Sequence, residues 1–285
     1  AVGTLLVVLP TWPALYVTNV PRPPLPDVTP ADRGLSYQDV TFRATDGARL
    51  SGWYLPSRNG AAVALLHGAG STRAAVLPQA QVLARHGYGV LLYDARGHGR
   101  SAGRAMDFGW YGDQDASGAV TFLTGRPDVD PTRIGVVGMS MGGEQAIGAA
   151  AADPRIAGVV AEGATGRTSA DNAWLSDVYG LRGSFTEGWQ GLLEYGLTDL
   201  LTSAGPPISL HDAAARAAPR EVLLVTAGDL DAERHAARHI RSASPRTVSI
   251  WEVAGAGHTR GLATRPQLWT ARVIAFLDRT LSPAG

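Results

Sequence analysis

Among its 285 residues the chain has no cysteine. That single absence removes disulfides, thiolate nucleophiles and zinc–thiolate sites together. Lysine is missing as well, so the 25 basic side chains other than histidine are all arginines. Neither a Walker-type phosphate loop nor Schiff-base chemistry is available without lysine. Nor is there an excess of charge, because 25 acidic residues balance the arginines. No basic field exists to hold a phosphate backbone, and nucleic acid is not an expected partner.

A long uninterrupted apolar run is lacking too. Ala1 to Val17 is strongly apolar but carries Pro10 and Pro13, and it is shorter than the roughly 20 residues that span a bilayer. The stretch reads equally as an apolar segment packed on the domain or as the remainder of a signal or membrane anchor. The first reading leaves a cytoplasmic protein, and the second an exported one or one tethered to a membrane. Pro21 to Pro30 follows as an extended, proline-rich linker. Residues 1–30 are therefore set apart from a single catalytic domain at 31–285.

What is present is apolar content of 45%, enough for one full α/β core. Tyr37, Val40 and Phe42, then Asp46-Gly47, then Leu50 to Leu55, predict a hairpin. Short apolar runs recur at Ala61 to Leu66, Gly89 to Tyr93, Ile134 to Val137, Ile156 to Ala161, Val222 to Thr226 and Val248 to Val253. Their continuous apolarity suits strands buried on both faces. Helical periods separate them, at Ala74 to Arg85, Gly109 to Leu123, Gly142 to Ala152, Asp231 to Ser242 and Pro266 to Leu281. The alternation predicts a doubly wound α/β fold with a mostly parallel sheet of about eight strands. The interval from Gly163 to Pro219 is too long for one crossover, and it is read as a small cap insertion. Its aromatics Trp174, Phe185 and Trp189 are candidate substrate contacts, with the cap's own small core as the alternative use.

The chemistry concentrates at strand ends. Gly138-Met139-Ser140-Met141-Gly142 follows one apolar run and opens a helix, the G-x-S-x-G pattern in a strand–turn–helix context. Ser140 is thus the candidate nucleophile, and a serine hydroxyl needs a base. His258, after Gly255-Ala256-Gly257 and the last strand, supplies one. The acid that orients it should follow a strand between the two, where Ala227-Gly228-Asp229-Leu230-Asp231 offers two carboxylates. Asp231 is preferred for its reach, with Asp229 and then Glu162 as alternatives. Backbone N–H groups of Met141 and of Ala69, in His67-Gly68-Ala69-Gly70, are the candidate oxyanion donors. His235 and His239 stand at metal-pair spacing but lack the glutamate and third ligand of a metal site, and no cofactor is expected.

Taken with Asp94-Ala95-Arg96-Gly97-His98-Gly99-Arg100-Ser101, these motifs make the chain resemble the α/β-hydrolase superfamily, in its group of esterases, lipases and serine peptidase-like hydrolases. The resemblance spans roughly residues 37–281. It implies an α/β-hydrolase fold, a small-molecule acyl ester as substrate, and a structural role for Asp94 to Ser101. An aminopeptidase or acyl-peptide hydrolase on the same scaffold is the enzymatic alternative, and a non-catalytic binding protein the alternative of another class.

Overall fold

Asp46-Gly47 turns the chain between β1 (Gln38–Arg43) and β2 (Arg49–Leu55), which pair antiparallel with Phe42 opposite Leu50. Residues 2–19, 23–184 and 188–283 are described by a computed structural model. Six further strands follow the hairpin: β3 (Ala62–Leu66), β4 (Gly89–Tyr93), β5 (Ile134–Met139), β6 (Ile156–Glu162), β7 (Glu221–Ala227) and β8 (Val248–Val253). All eight join one sheet in the order β1-β2-β4-β3-β5-β6-β7-β8, and from β4 onward every neighbouring pair is parallel.

The helices are α1 (Val2–Asn19), α2 (Leu77–Arg85), α3 (Gly112–Thr124), α4 (Met141–Ala152), α5 (Leu175–Tyr179), α6 (Gly188–Leu201), α7 (Leu210–Ala217), α8 (Asp231–Ser242), α9 (Gly261–Thr264) and α10 (Pro266–Thr280). The period of two along β3 shows how the layers form. Ala62, Ala64 and Leu66 join the core shared with α3, α4 and α7, while Val63 and Leu65 belong to the cluster on the other face, with Leu77 and Leu83 of α2 and Trp269 and Leu277 of α10. A strand covered on both sides has no polar face, which is why these runs are continuously apolar. Each Val or Leu so buried contributes roughly 1.5–3 kcal/mol over leaving it in water.

Part of the stretch expected to cap the strand ends belongs to the sheet's own layers. Leu210, Ala213, Ala214 and Ala217 are fully buried at helical spacing, and α7 packs on α4 as an ordinary crossover helix. The rest of that stretch carries α5 and α6, and α6 packs against α1 and the segment Ser169–Asn172. The N-terminal apolar segment is helical from Val2 through both prolines. Since each proline costs the helix a backbone hydrogen bond, its stability comes from packing. Ala14, Val17 and Thr18 are buried, and α1 lies against α6. Among the described residues no helix is long and apolar enough to cross a membrane.

Candidate active site

β5 delivers Ser140 into a turn so tight that the residue adopts φ 53° and ψ −122°. A β-carbon on Gly138 would meet the Gly142 carbonyl oxygen at 2.1 Å, and one on Gly142 would meet the His67 and Leu66 oxygens at 2.6 and 2.7 Å. Neither position accepts a larger residue. Left-handed backbone at a serine costs on the order of 1–3 kcal/mol and persists only where the surroundings impose it. Here they do: the Ser140 N–H donates to the Glu162 carbonyl at 2.7 Å, and the Ser140 carbonyl accepts from Gly143 and Glu144.

His258 meets this serine from the loop after β8. Its Nε2 lies 2.9 Å from Ser140 Oγ, and its Nδ1 lies 2.6 Å from Glu233 Oε1. A carboxylate only accepts, so Nδ1 carries the proton and Nε2 is left to accept from the serine hydroxyl. Glu233 is 2% exposed, and its second oxygen accepts the Ala227 N–H at 2.8 Å. The bond from Glu233 raises the affinity of His258 for a second proton above its ordinary value, against the opposing effect of burial.

The carboxylate beside the imidazole is thus not that of Asp231. Asp231 is the first residue of α8, with its side chain 70% exposed and paired to Arg234. Asp229 is exposed too, and its backbone N–H donates to Ala256 at 3.3 Å. The physical reason is helical. Glu233, Ala236, Ala237 and Ile240 are the buried residues of α8, spaced i, i+3, i+4 and i+7, whereas Asp231, Arg234 and Arg238 lie on the polar side. Side chains on a helix lean toward its N-terminus, so a glutamate in the first turn reaches back to the strand end. A carboxylate on the apolar stripe of α8 is the signal in the sequence that identifies it.

Glu162 holds the scaffold. Its carboxylate accepts the Gly261 N–H at 2.7 Å and the Trp269 indole N–H at 2.8 Å, fixing the chain just beyond His258. Gly163 lies against the imidazole, where a β-carbon would come within 2.9 Å of Cε1.

His67 organises the loop on the opposite side. Its Nδ1–H donates to the Gly68 carbonyl at 2.8 Å and its Nε2 accepts the Ala95 N–H at 3.0 Å. Complete burial pushes this imidazole down to about 3, so it remains neutral and keeps both bonds. Asp94 accepts the backbone N–H groups of Arg73 and Arg100, and its carbonyl accepts from Ser101. Met141 heads α4, where its N–H has no intrahelical acceptor. A cavity of about 280 Å³ brings Ala69 together with Ser140 and His258, walled by Ala75, Val76 and Met139.

Of the aromatics expected in a cap, Trp174 and Trp189 do not line that cavity. Trp174 stacks on His235, with ring centroids 5.7 Å apart, and borders a separate hollow with Tyr179 and Tyr195. Trp189 is 52% exposed, and Phe185 lies outside the described residues. His239 stacks on His211 at 4.9 Å. Among the described residues no group of three or more His, Asp or Glu side chains is arranged to hold a metal ion.

Residues 57–217 match the family described as serine aminopeptidase, S33. That span is more than half of the chain and contains Ser140, while Glu233 and His258 lie beyond it. A thiohydrolase from Aspergillus aculeatus is 39% identical over 125 residues, covering 42% of this chain and 39% of its own length. An uncharacterized protein of Mycobacterium tuberculosis is 38% identical over 137 residues, 47% of this chain and 46% of the other. The chain spans less than half the length of these curated relatives. Among solved structures, an esterase from Pyrococcus furiosus superposes with a TM-score of 0.72 at 27% identity, covering 93% of this chain and 98% of that one. An α/β hydrolase from Penicillium shares the fold at a TM-score of 0.66 and 23% identity. The eight-stranded sheet, the strand–serine–helix turn and these matches lead to one conclusion: the chain belongs to the serine aminopeptidase S33 family of hydrolases, within the α/β-hydrolase superfamily.

Proposed function

We propose that this hydrolase cleaves carboxylic esters of small to medium apolar groups through a Ser140–His258–Glu233 triad and an acyl-enzyme intermediate. The observation that carries the reading is the unbroken relay from Ser140 Oγ to His258 Nε2 and from Nδ1 to Glu233. His258 takes the serine proton as Oγ attacks the carbonyl carbon. The backbone N–H groups of Met141 and Ala69 receive the oxyanion, assisted by the N-terminal end of α4. Collapse of the tetrahedral intermediate expels the alcohol, which leaves with the proton held by His258. Water then repeats the sequence on the acyl group, and Ser140 regains its proton. Glu233 stabilises the imidazolium at both stages. The esterase likeness and the apolar walls of Ala75, Val76 and Met139 favour an ester with hydrocarbon substituents.

A fluorophosphonate probe should label the protein stoichiometrically at Ser140. A panel of p-nitrophenyl esters of graded chain length should be turned over faster than aminoacyl-anilides. Faster cleavage of the anilides would transfer the reading to an aminopeptidase, and absence of both labelling and turnover would end the catalytic reading.

The state of His258 predicts a pH profile. The base must be neutral, so kcat/KM rises with pH through the His258 ionisation and is lost on acidification. Glu233 raises that ionisation, so the half-maximal point should lie above the ordinary imidazole value of about 6.5. An acid limb centred below that value would show that Glu233 does not act on the imidazole in solution.

A further inference from the structure

We propose that the N-terminal segment is part of the substrate pocket, with Tyr16 of α1 and Pro23 of the linker closing an apolar chamber that receives a hydrocarbon chain of the ester. The inference rests on the esterase reading above. A second cavity, of about 200 Å³, lies beside the one that holds Ser140, and Ala69 lines both. Tyr16 and Pro23 form its wall from the N-terminal side, and Met106, His98 and Gly97 form the wall from the domain side. Its lining is mostly apolar, and it includes the Tyr16 ring, the Pro23 pyrrolidine and the Met106 thioether, from separate parts of the sequence.

An ester carbonyl held over Ser140 with its oxygen at Ala69 has two substituents to place. One fits the cavity walled by Ala75 and Val76. The other has its exit past Ala69 and Gly70, into the chamber. Together the two spaces fall within the range of about 300–1,000 Å³ usual for a small-molecule site, which neither reaches alone. Nothing in the chamber asks for charge. His98 donates its Nδ1–H to the Arg96 carbonyl, and burial lowers its proton affinity, so the ring is neutral. Tyr16 is held in place rather than loosely apposed, because the buried Ala14, Val17 and Thr18 of the same helix turn fix α1 against the domain. The outer face of that turn is apolar, with Trp12 69% and Tyr16 55% exposed, and of these the Tyr16 ring lines the chamber.

The test uses the full chain and the ratio of kcat/KM for p-nitrophenyl octanoate to that for the acetate. Met106→Trp fills the chamber and should lower the ratio about tenfold. Tyr16→Ala removes the outer wall at a half-exposed position that the fold tolerates, and should lower the ratio about threefold or more by returning the chain to water. A ratio within twofold of wild type in both variants overturns the chamber while ester turnover itself stands. If instead wild type cleaves no ester, or Ser140→Ala retains its turnover, the esterase reading falls and takes the chamber with it.

Discussion

Ser140→Ala should reduce ester turnover by roughly four to six orders of magnitude and abolish fluorophosphonate labelling, with the folded structure intact. The stability half of this expectation follows from the backbone. Serine and alanine both carry a β-carbon, so both meet the same cost at φ 53°, and the bonds that impose that conformation are made by main-chain atoms. Only the hydroxyl is lost, and with it the bond to His258. Residual turnover measured by steady-state kinetics, on protein whose thermal midpoint is unchanged, separates the two halves. A folded Ser140→Ala protein that still labels at full rate would remove the serine from the chemistry.

Glu233→Gln should lower kcat by about 10⁴, whereas Asp231→Asn should leave it within about twofold. The glutamine can still accept the Ala227 N–H through its oxygen, so the start of α8 keeps its anchor. That leaves the amide nitrogen facing His258 Nδ1. Two donors cannot share a bond, so the imidazole turns to the tautomer with its proton on Nε2, where it can no longer accept from Ser140. Loss of the carboxylate should also shift the acid limb of kcat/KM downward, since its bond is the largest influence raising the His258 ionisation. Asp231 is exposed and engaged with Arg234, and its neutralisation reaches none of these groups. Equal losses in the two variants, or a greater loss at Asp231, would reverse the assignment.

The contrast between these two carboxylates shows what was legible in the sequence. Gly138-Met139-Ser140-Met141-Gly142 could be read because a sharp strand-to-helix turn leaves no room for larger residues, and the contacts at Gly138 and Gly142 are those of such a turn. The apolar runs gave the six mutually parallel strands β3 to β8 to within a residue or two, the five inside the sheet because burial on both faces leaves no other composition, and the edge strand β8 although its Ser249 and Glu252 are exposed. His258 was legible by place, on the loop between the last strand and the last long helix. The acid was not, because chain order and the strand end point to Asp229 and Asp231, the first carboxylates after β7, while the fold turns Glu233, two residues further along the first turn of α8, toward the imidazole. Glutamate is long enough to return from that turn, and only the apolar face of α8 marks it. Trp174 was not legible for a related reason: its ring stacks on His235, a contact between segments 61 residues apart that no local pattern announces.

One strand end ties the two halves of the proposed catalytic apparatus together. The carbonyl of Glu162 positions the Ser140 N–H, and the carboxylate of the same residue anchors Gly261 and Trp269, three and eleven residues past His258. The spacing between serine and histidine is consequently gauged at a single residue rather than accumulated across the width of the sheet. A disturbance that opens the gap must first break the buried bonds from the Glu162 carboxylate to Gly261 and Trp269.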